Sequence, residues 1–412
     1  MAATGRDLRD VLVGDPEHWQ DGPPHALFKQ LRAECPVHRT THIPDFPTED
    51  GYWSVTTADD VHTVSRDWQT YSSELGGVTA LTDAIVPLEL SRAMFIAQDP
   101  PKHDRLKALF QAGFTPRRIA EHEDAIRAIT GEVLERLAGR ETADLVTDVA
   151  QPVVSRVIGS FMGIPPEDDA VWARLMNTIF AAGDPEVNPE GLDTVMGRDV
   201  PEVFERCRVL IAERRAHPTD DLTSVLVEAE VDGSRLEEHE IVMGFFLLMA
   251  AGNDSTKATY SSGMRALLED PAQMRLLLDD ASLIPSAVEE ALRMFPAFAH
   301  FRRTATRDVE LNGTQIRAGD KVIMWYVSSN RDESRYEDPD RFDVTRNPEH
   351  QAFGAGGRHF CLGTALARLE LRILFEETLK RFPQLELAGR PEYVVSGFVN
   401  QLRTLPVRLD GR

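Results

Sequence analysis

The stretch from Phe353 to Ala367 constrains this chain more than any other. It reads Phe-Gly-Ala-Gly-Gly-Arg-His-Phe-Cys-Leu-Gly-Thr-Ala-Leu-Ala. Gly354, Gly356 and Gly357 permit backbone torsions closed to other residues, so a tight loop fits here. Cys361 ends that loop. Leu362, Ala365, Leu366, Leu369 and Ile373 then recur at helical spacing, with Arg368, Arg372, Glu376 and Glu377 on the other sides. A sulfur is thus held where a glycine-rich turn runs into a helix N-terminus. Unpaired N–H groups and the helix dipole at such a place favour the thiolate. A thiolate there suits a nucleophile, a redox sensor or a metal ligand, and most lone cysteines are none of these. The residues alone leave the choice open.

Composition narrows the partners. The 412 residues carry a net charge of −22, with 42% hydrophobic and 27% charged side chains. That is ordinary for a soluble globular protein and argues against nucleic acid or an anionic membrane as general partners. Cys35, Cys207 and Cys361 are too far apart for a zinc knuckle or a redox pair, and an odd number of thiols fits a reducing compartment. The first residues lack the apolar run of a signal peptide or membrane anchor, and the longest apolar run, Phe245 to Ala251, is too short to span a bilayer. A cytoplasmic protein is expected.

Along the chain, Pro23-Pro24, Pro44 and Pro47 flank a candidate strand at Tyr52 to Val55, and a helix is expected after Thr57. Ser73 to Gln98 is long, apolar and without settled period, which fits either a core-packing loop or a lid. His103 and Lys107 share a helix face that reads as a solvated basic turn. Pro116 to Arg215 is mainly helical. Leu236 to Leu268 reads as one long helix, with Ser234 as N-cap. Its apolar middle abruptly presents Gly252, Asn253, Asp254, Ser255 and Thr256, which means either emergence into solvent or a functional bend. Pro285 to Phe295 is a further helix, on which Glu290 and Arg293 are spaced to pair. Asn312-Gly313 signals a hairpin, and Lys321 to Val327 a strand. Neither a phosphate-binding Gly-x-x-x-x-Gly-Lys-Ser/Thr loop nor a dinucleotide fingerprint occurs.

Phe353, Gly354 to Gly357, His359, Cys361 and Gly363 together resemble the haem-ligand loop of the cytochrome P450 family. Phe353 lies one residue further from the cysteine than in the commonest form, which is similar to bacterial members that oxidise sterol side chains and methyl-branched lipids. Further motifs fall in the family's order. The resemblance implies a mainly α fold with a smaller β-rich part, forming a single haem-binding unit over residues 1–412, with strands mostly within 40–60, 305–330 and 385–410. It implies haem b with Cys361 as the iron ligand, whose electron donation favours O–O cleavage. His103 and Lys107 stand at the family's His-x-x-x-Arg element and would bind a propionate. Lysine there keeps the charge but loses the planar fork. Arg302, or its neighbour Arg303, would bind another. Ala251-Gly252-Asn253-Asp254-Ser255 looks like the family's Ala-Gly-x-acid-Thr signature, so Asp254, Ser255 and Thr256 would relay protons. Leu247, Ala250, Ala251, Phe298, Phe301 and Phe398 would line an apolar pocket beneath a lid at Ser73 to Gln98. Glu290, Arg293 and Arg341 would brace the scaffold.

The function so implied is hydroxylation of a lipophilic small molecule by a monomeric monooxygenase. Its electrons would come from a ferredoxin and an NAD(P)H-dependent ferredoxin reductase, docking on Lys107, Arg358, Arg368 and Arg372 unless those charges are ordinary surface. The alternatives are a haem-thiolate sensor without turnover, a helical scaffold without haem, and a peroxide-driven enzyme, which the acid and hydroxyls at 254–256 disfavour.

Overall fold

The computed structural model describes residue 8 and residues 11–44, 46–80, 88–111, 113–231 and 233–409. Helices dominate. Those that frame the site are α1 (Ala58–Arg66), α2 (Lys102–Gln111), α3 (Glu123–Glu135), α4 (Gln151–Met162), α5 (Asp169–Phe180), α6 (Val200–Ala216), α7 (Glu238–Glu269), α8 (Ile284–Met294) and α9 (Thr364–Arg381).

The long helix α7 is the axis of the molecule. Its 32 residues extend over about 48 Å at the usual helical rise. Buried side chains occur around its whole circumference from Ile241 to Leu267, as in a helix packed on every side. Ser234 does not cap it. Residues 234–235 pair instead with residues 230–231 in a short ladder. A capping box between Glu237 and Glu240 satisfies the first amides. Helices α4, α6, α8 and α9 surround α7. At Gly252, α4 approaches so closely that an added Cβ would lie 2.6 Å from Ile158 Cδ1. Gly252 therefore serves helix packing, and α7 runs unbroken through it.

The β part is mostly one sheet. Its strands are β1 (Val37–Thr40), β2 (Tyr52–Val55), β3 (Tyr71–Ser72), β4 (His300–Ala305) and β5 (Lys321–Trp325), in the order β1-β2-β5-β4-β3. β5 is parallel to β2, and the other pairs are antiparallel. Alternation along β5 sorts two cores. Val322 and Met324 pack with Val55, Val61 and Val64. Ile323 and Trp325 pack with Trp19 and Phe28. β4 obeys the same parity, with Phe301 opposite Met324 and Arg302 opposite Ile323. The expected Asn312-Gly313 hairpin is present, both residues at positive φ. The strand expected to run to Val327 stops at Trp325, and Tyr326–Ser329 forms a helical turn. Small ladders near the C-terminus complete the β part, one of them pairing Pro406–Arg408 with Thr142–Asp144. Among the described residues, no helix is long and apolar enough to cross a membrane.

Candidate active site

The cysteine loop is built from backbone. Gly354, Gly356 and Gly357 have φ of 93, 89 and 85°, as their positions in the sequence predict. At Gly357 an added Cβ would lie 2.6 Å from the carbonyl oxygen of Ser65, so the loop rests directly on the end of α1. The Ser65 hydroxyl donates to the Gly356 carbonyl at 2.8 Å. Cys361 N–H donates to the Phe353 carbonyl at 2.9 Å, and Gly363 caps α9. The guanidinium of Arg368 lies 4.8 Å over the Phe353 ring.

Cys361 faces an internal cavity that also meets Leu247, Ala251, Gly252 and Ser255 of α7, Phe298, and Phe301 of β4. Burial pushes the thiol above its ordinary pKa, while the Gly363 N–H, Lys107 and Arg368 pull it down.

One end of the cavity gathers donors. His103 is buried, with its ring 4.2 Å from that of His359 and its Nδ1 2.9 Å from Asp104. His359 Nε2 lies 3.0 Å from the Ser73 hydroxyl. Burial, then the charges of Arg303, His103 and Lys107, hold the His359 pKa well below its usual value. Arg303, not Arg302, lines the cavity. Strand parity decides this: Arg303 shares its face with Phe301, while Arg302 points to the other side against Gly76 and Thr304. Arg303 is buried, donates to the Arg302 carbonyl at 2.7 Å, and has no ion-pair partner among the described residues. Lys107 lines the same end of the cavity. Its ammonium donates to the carbonyls of Arg358 and Phe360 at 2.6 and 2.7 Å, so it fastens the cysteine loop. A cavity with a thiol on its wall, apolar sides, and an uncompensated guanidinium beside two imidazoles fits a flat hydrophobic group bearing carboxylates. The donor set suits haem.

The middle of α7 divides by face. The Ser255 hydroxyl bonds back to the Ala251 carbonyl at 2.8 Å on the cavity side. The Thr256 hydroxyl donates to Glu370 Oε2 of α9 at 2.6 Å. Burial pushes the Glu370 carboxyl up to about 8, although the Thr256 bond works against it. Asp254 lies off the cavity, paired with Lys257. The segment does not emerge into solvent, since Asn253, Asp254, Thr256 and Lys257 are all buried. Leu247, Ala251, Phe298 and Phe301 line the cavity as expected. Ala250 instead packs into the helical core. Phe398 stands behind the wall, its ring 5.2 Å from that of Phe298. Residues 81–87 of the expected lid lie outside the described residues, while Val78, Phe95 and Ile96 on either side line the cavity. Sequence reasoning passed over Lys257 and Glu370. The spacing Asp254-x-x-Lys257 on one helix was the available signal for the first.

Behind the loop, Glu290 accepts from Arg293 at 2.7 and 2.8 Å, both fully buried. The third member is Arg346, whose Nε donates to Glu290 at 3.1 Å. Arg341 contributes only its carbonyl, to Arg293 at 3.3 Å. Phe342 turns inward against Phe295, so the side chain of Arg341 faces solvent. The supposed docking charges are compensated as well. Arg358 pairs with Asp104 at 3.0 Å, Arg368 with Glu289 at 2.6 Å and Arg372 with Glu123 at 2.7 Å.

Fold and cavity together fit a haem-binding protein with a cysteine on its cavity wall, and known proteins supply the family. A cytochrome P450 family model matches residues 200–392. A methyl-branched lipid omega-hydroxylase of Mycobacterium tuberculosis is 37% identical over 97% of this chain and 95% of its own. A steroid C26-monooxygenase of the same organism is 34% identical over 97% of this chain and 96% of its own. A Mycobacterium marinum cytochrome P450 solved in complex with pseudoionone superposes with a TM-score of 0.91 at 37% identity, covering 98% of this chain and 100% of that one. The chain belongs to the cytochrome P450 family, and it is a monooxygenase of that family.

Proposed function

We propose that this enzyme binds haem b through Cys361 and hydroxylates a lipid- or steroid-like substrate that enters the cavity apolar end first. The observation that carries this is the lining. Leu247, Leu248, Ala251, Phe298 and Phe301 form an apolar wall, and the polar lining residues gather around Arg303, His103 and His359 or at Ser255, Thr256 and Glu370. Such a wall desolvates a hydrocarbon chain favourably and offers a charged head no partner. The names of the relatives, a lipid hydroxylase and a steroid monooxygenase, support the same class.

When bound, thiolate-held haem supplies the activation of dioxygen. The chain does the rest. Arg303, His103 and His359 hold the propionates, with Arg303 supplying the charge that Arg302 cannot bring to the cavity. Phe298 and Phe301 hold the substrate and exclude water. Ser255 and Thr256 pass protons toward the cavity, and Asp254, once out of its ion pair with Lys257, takes each proton up from solvent and hands it on. Serine at 255 keeps the hydroxyl but lacks the methyl that would fix its rotamer. Glu290, Arg293 and Arg346 brace the segment 338–346 that precedes the loop carrying Cys361. Electrons come from a ferredoxin and its NAD(P)H-dependent reductase, and the free cysteines suit the reducing cytoplasm.

The test adds long-chain methyl-branched acids, sterols and short polar aromatics to the purified holoenzyme. The first two should displace water from the haem and shift its absorption, and should be hydroxylated when ferredoxin, reductase and NADPH are present. A shift with the polar aromatics alone would overturn the proposed substrate class.

A further inference from the structure

His300 is the first residue of β4, and its side chain is almost wholly buried on the face opposite to that of Phe301. The ring lies 4.6 Å from that of Trp325 and 5.5 Å from that of Phe398. A phenyl ring would fill such a site with no polar atoms to satisfy. An imidazole brings two buried nitrogens that are costly unless paired. Both are paired, and both to main chain. Nδ1 donates to the Gly397 carbonyl at 2.8 Å, and Nε2 accepts from the Ala80 N–H at 3.2 Å. These partners fix the tautomer, since a carbonyl cannot donate and an amide N–H cannot accept. Burial pushes the imidazole pKa down to about 4 against the opposing Gly397 bond, so the ring is neutral and Nε2 keeps its lone pair. Among the described residues, neither main-chain group has another hydrogen-bond partner.

The two main-chain groups belong to segments far apart in the chain that reach the cavity wall from different sides. Val78 lines the cavity, and its carbonyl accepts from the Arg302 N–H of β4 at 2.9 Å. Two residues on, Ala80 packs against the core that holds Trp19, Phe28 and Trp325. The turn at 396–399 backs the wall. Its Phe398 carbonyl accepts from the Ala299 N–H at 2.7 Å, and Val399 pairs with Phe298 in an isolated antiparallel bridge. Phe298 and Phe301, which flank His300 in the chain, both line the cavity. Each segment is thus joined to the wall by main chain, and the His300 ring joins the two segments to each other.

We infer that His300 is a specificity-determining positioning residue, whose imidazole clamps residues 78–80 and the turn 396–399 to the Phe298–Phe301 wall and so holds that wall in the shape a bound hydrocarbon meets. A wall held in this way is ordered before the ligand arrives, which leaves less ordering for binding to supply. Loss of either bond strands a buried main-chain group, and the segment that carries it shifts to find water. The inference rests on haem filling the cavity at Cys361 and is independent of which lipophilic substrate is used.

The test uses the holoenzyme and two nitrogen ligands of haem iron: imidazole, too small to reach the wall, and N-dodecylimidazole, whose chain must lie along it. His300→Asn sets an amide N–H where Nδ1 stands and keeps only the Gly397 bond. His300→Gln sets an amide oxygen where Nε2 stands and keeps only the Ala80 bond. His300→Phe keeps the ring packing alone. At unchanged haem content all three should bind imidazole as wild type does and bind N-dodecylimidazole several-fold more weakly, with His300→Phe the weakest. Deuterium exchange should quicken over residues 73–80 in His300→Asn, over 394–399 in His300→Gln, and over both in His300→Phe. If His300→Phe fails to load haem, the two amide variants decide. An unchanged ratio of the two affinities in those variants overturns the inference, as does exchange that quickens in the same segments in both. Failure of the haem reading is seen separately, because imidazole would then produce no spectral shift in the wild type.

Discussion

The cysteine loop and the centre of α7 face one cavity and are held in opposite ways. The loop is fixed by main chain: three glycines at positive φ, a contact of Gly357 with the Ser65 carbonyl, and the Cys361 amide on Phe353. The α7 centre is ordinary helix whose function lies in side chains, with Asp254 on Lys257, Thr256 on Glu370 and Ser255 on its own helix. A main-chain device has one conformation, which suits a group that must not move. A side-chain network has several, which suits protons that must.

Perturbations should separate the two regimes, beginning with the scaffold of the loop. Glu290→Ala strands the buried Arg293 guanidinium and should cost about 3–5 kcal/mol. Denaturant unfolding of the holoenzyme measures it, and a loss near zero would show the buried pair to be dispensable to the fold. Gly357→Ala should cost about 1–3 kcal/mol from backbone strain alone, with more from the Ser65 contact and a matching loss of haem retention. In the α7 regime, Glu370→Gln should change the pH dependence more than the fold. The Glu370 carboxyl ionises near 8 when folded against an ordinary 4.5. The folded state therefore holds a proton that the unfolded state has lost between these values, and stability falls as pH rises through that window. The melting temperature of wild type should drop from pH 5 to pH 8 relative to Glu370→Gln, and parallel curves would contradict the buried neutral acid. Smallest in stability is Ser255→Ala: at rest its hydroxyl bonds only the Ala251 carbonyl of its own helix, so the melting temperature should stay within experimental scatter, while turnover should fall several-fold or more because the relay loses a hydroxyl.

The same division explains what could be read in the amino acids. The loop was legible because its glycines mark main-chain geometry directly, and their torsions follow the sequence position by position. The long helix, the Asn312-Gly313 hairpin and the Glu290–Arg293 pair were legible for the same local reasons. Arg302 against Arg303 was not, because the choice depends on the parity of β4 against β5, a pairing between distant strands. Arg341 against Arg346 turned on which way Phe342 faced the core. Ala250 and Phe398 missed the cavity because a helix face and a turn are aimed by their neighbours. Glu370 became visible only once α9 lay beside α7, and Lys257 only once Gln151 and Asn177 surrounded it.

The central claim is a bond from the Cys361 sulfur to haem iron. The most direct measurement is the absorption spectrum of the reduced, carbon monoxide-saturated protein beside that of Cys361→Ala. The wild type should give the red-shifted Soret band of a thiolate ligand, and the variant should lose it. A wild-type spectrum lacking that band, or a variant that keeps it, would contradict the account.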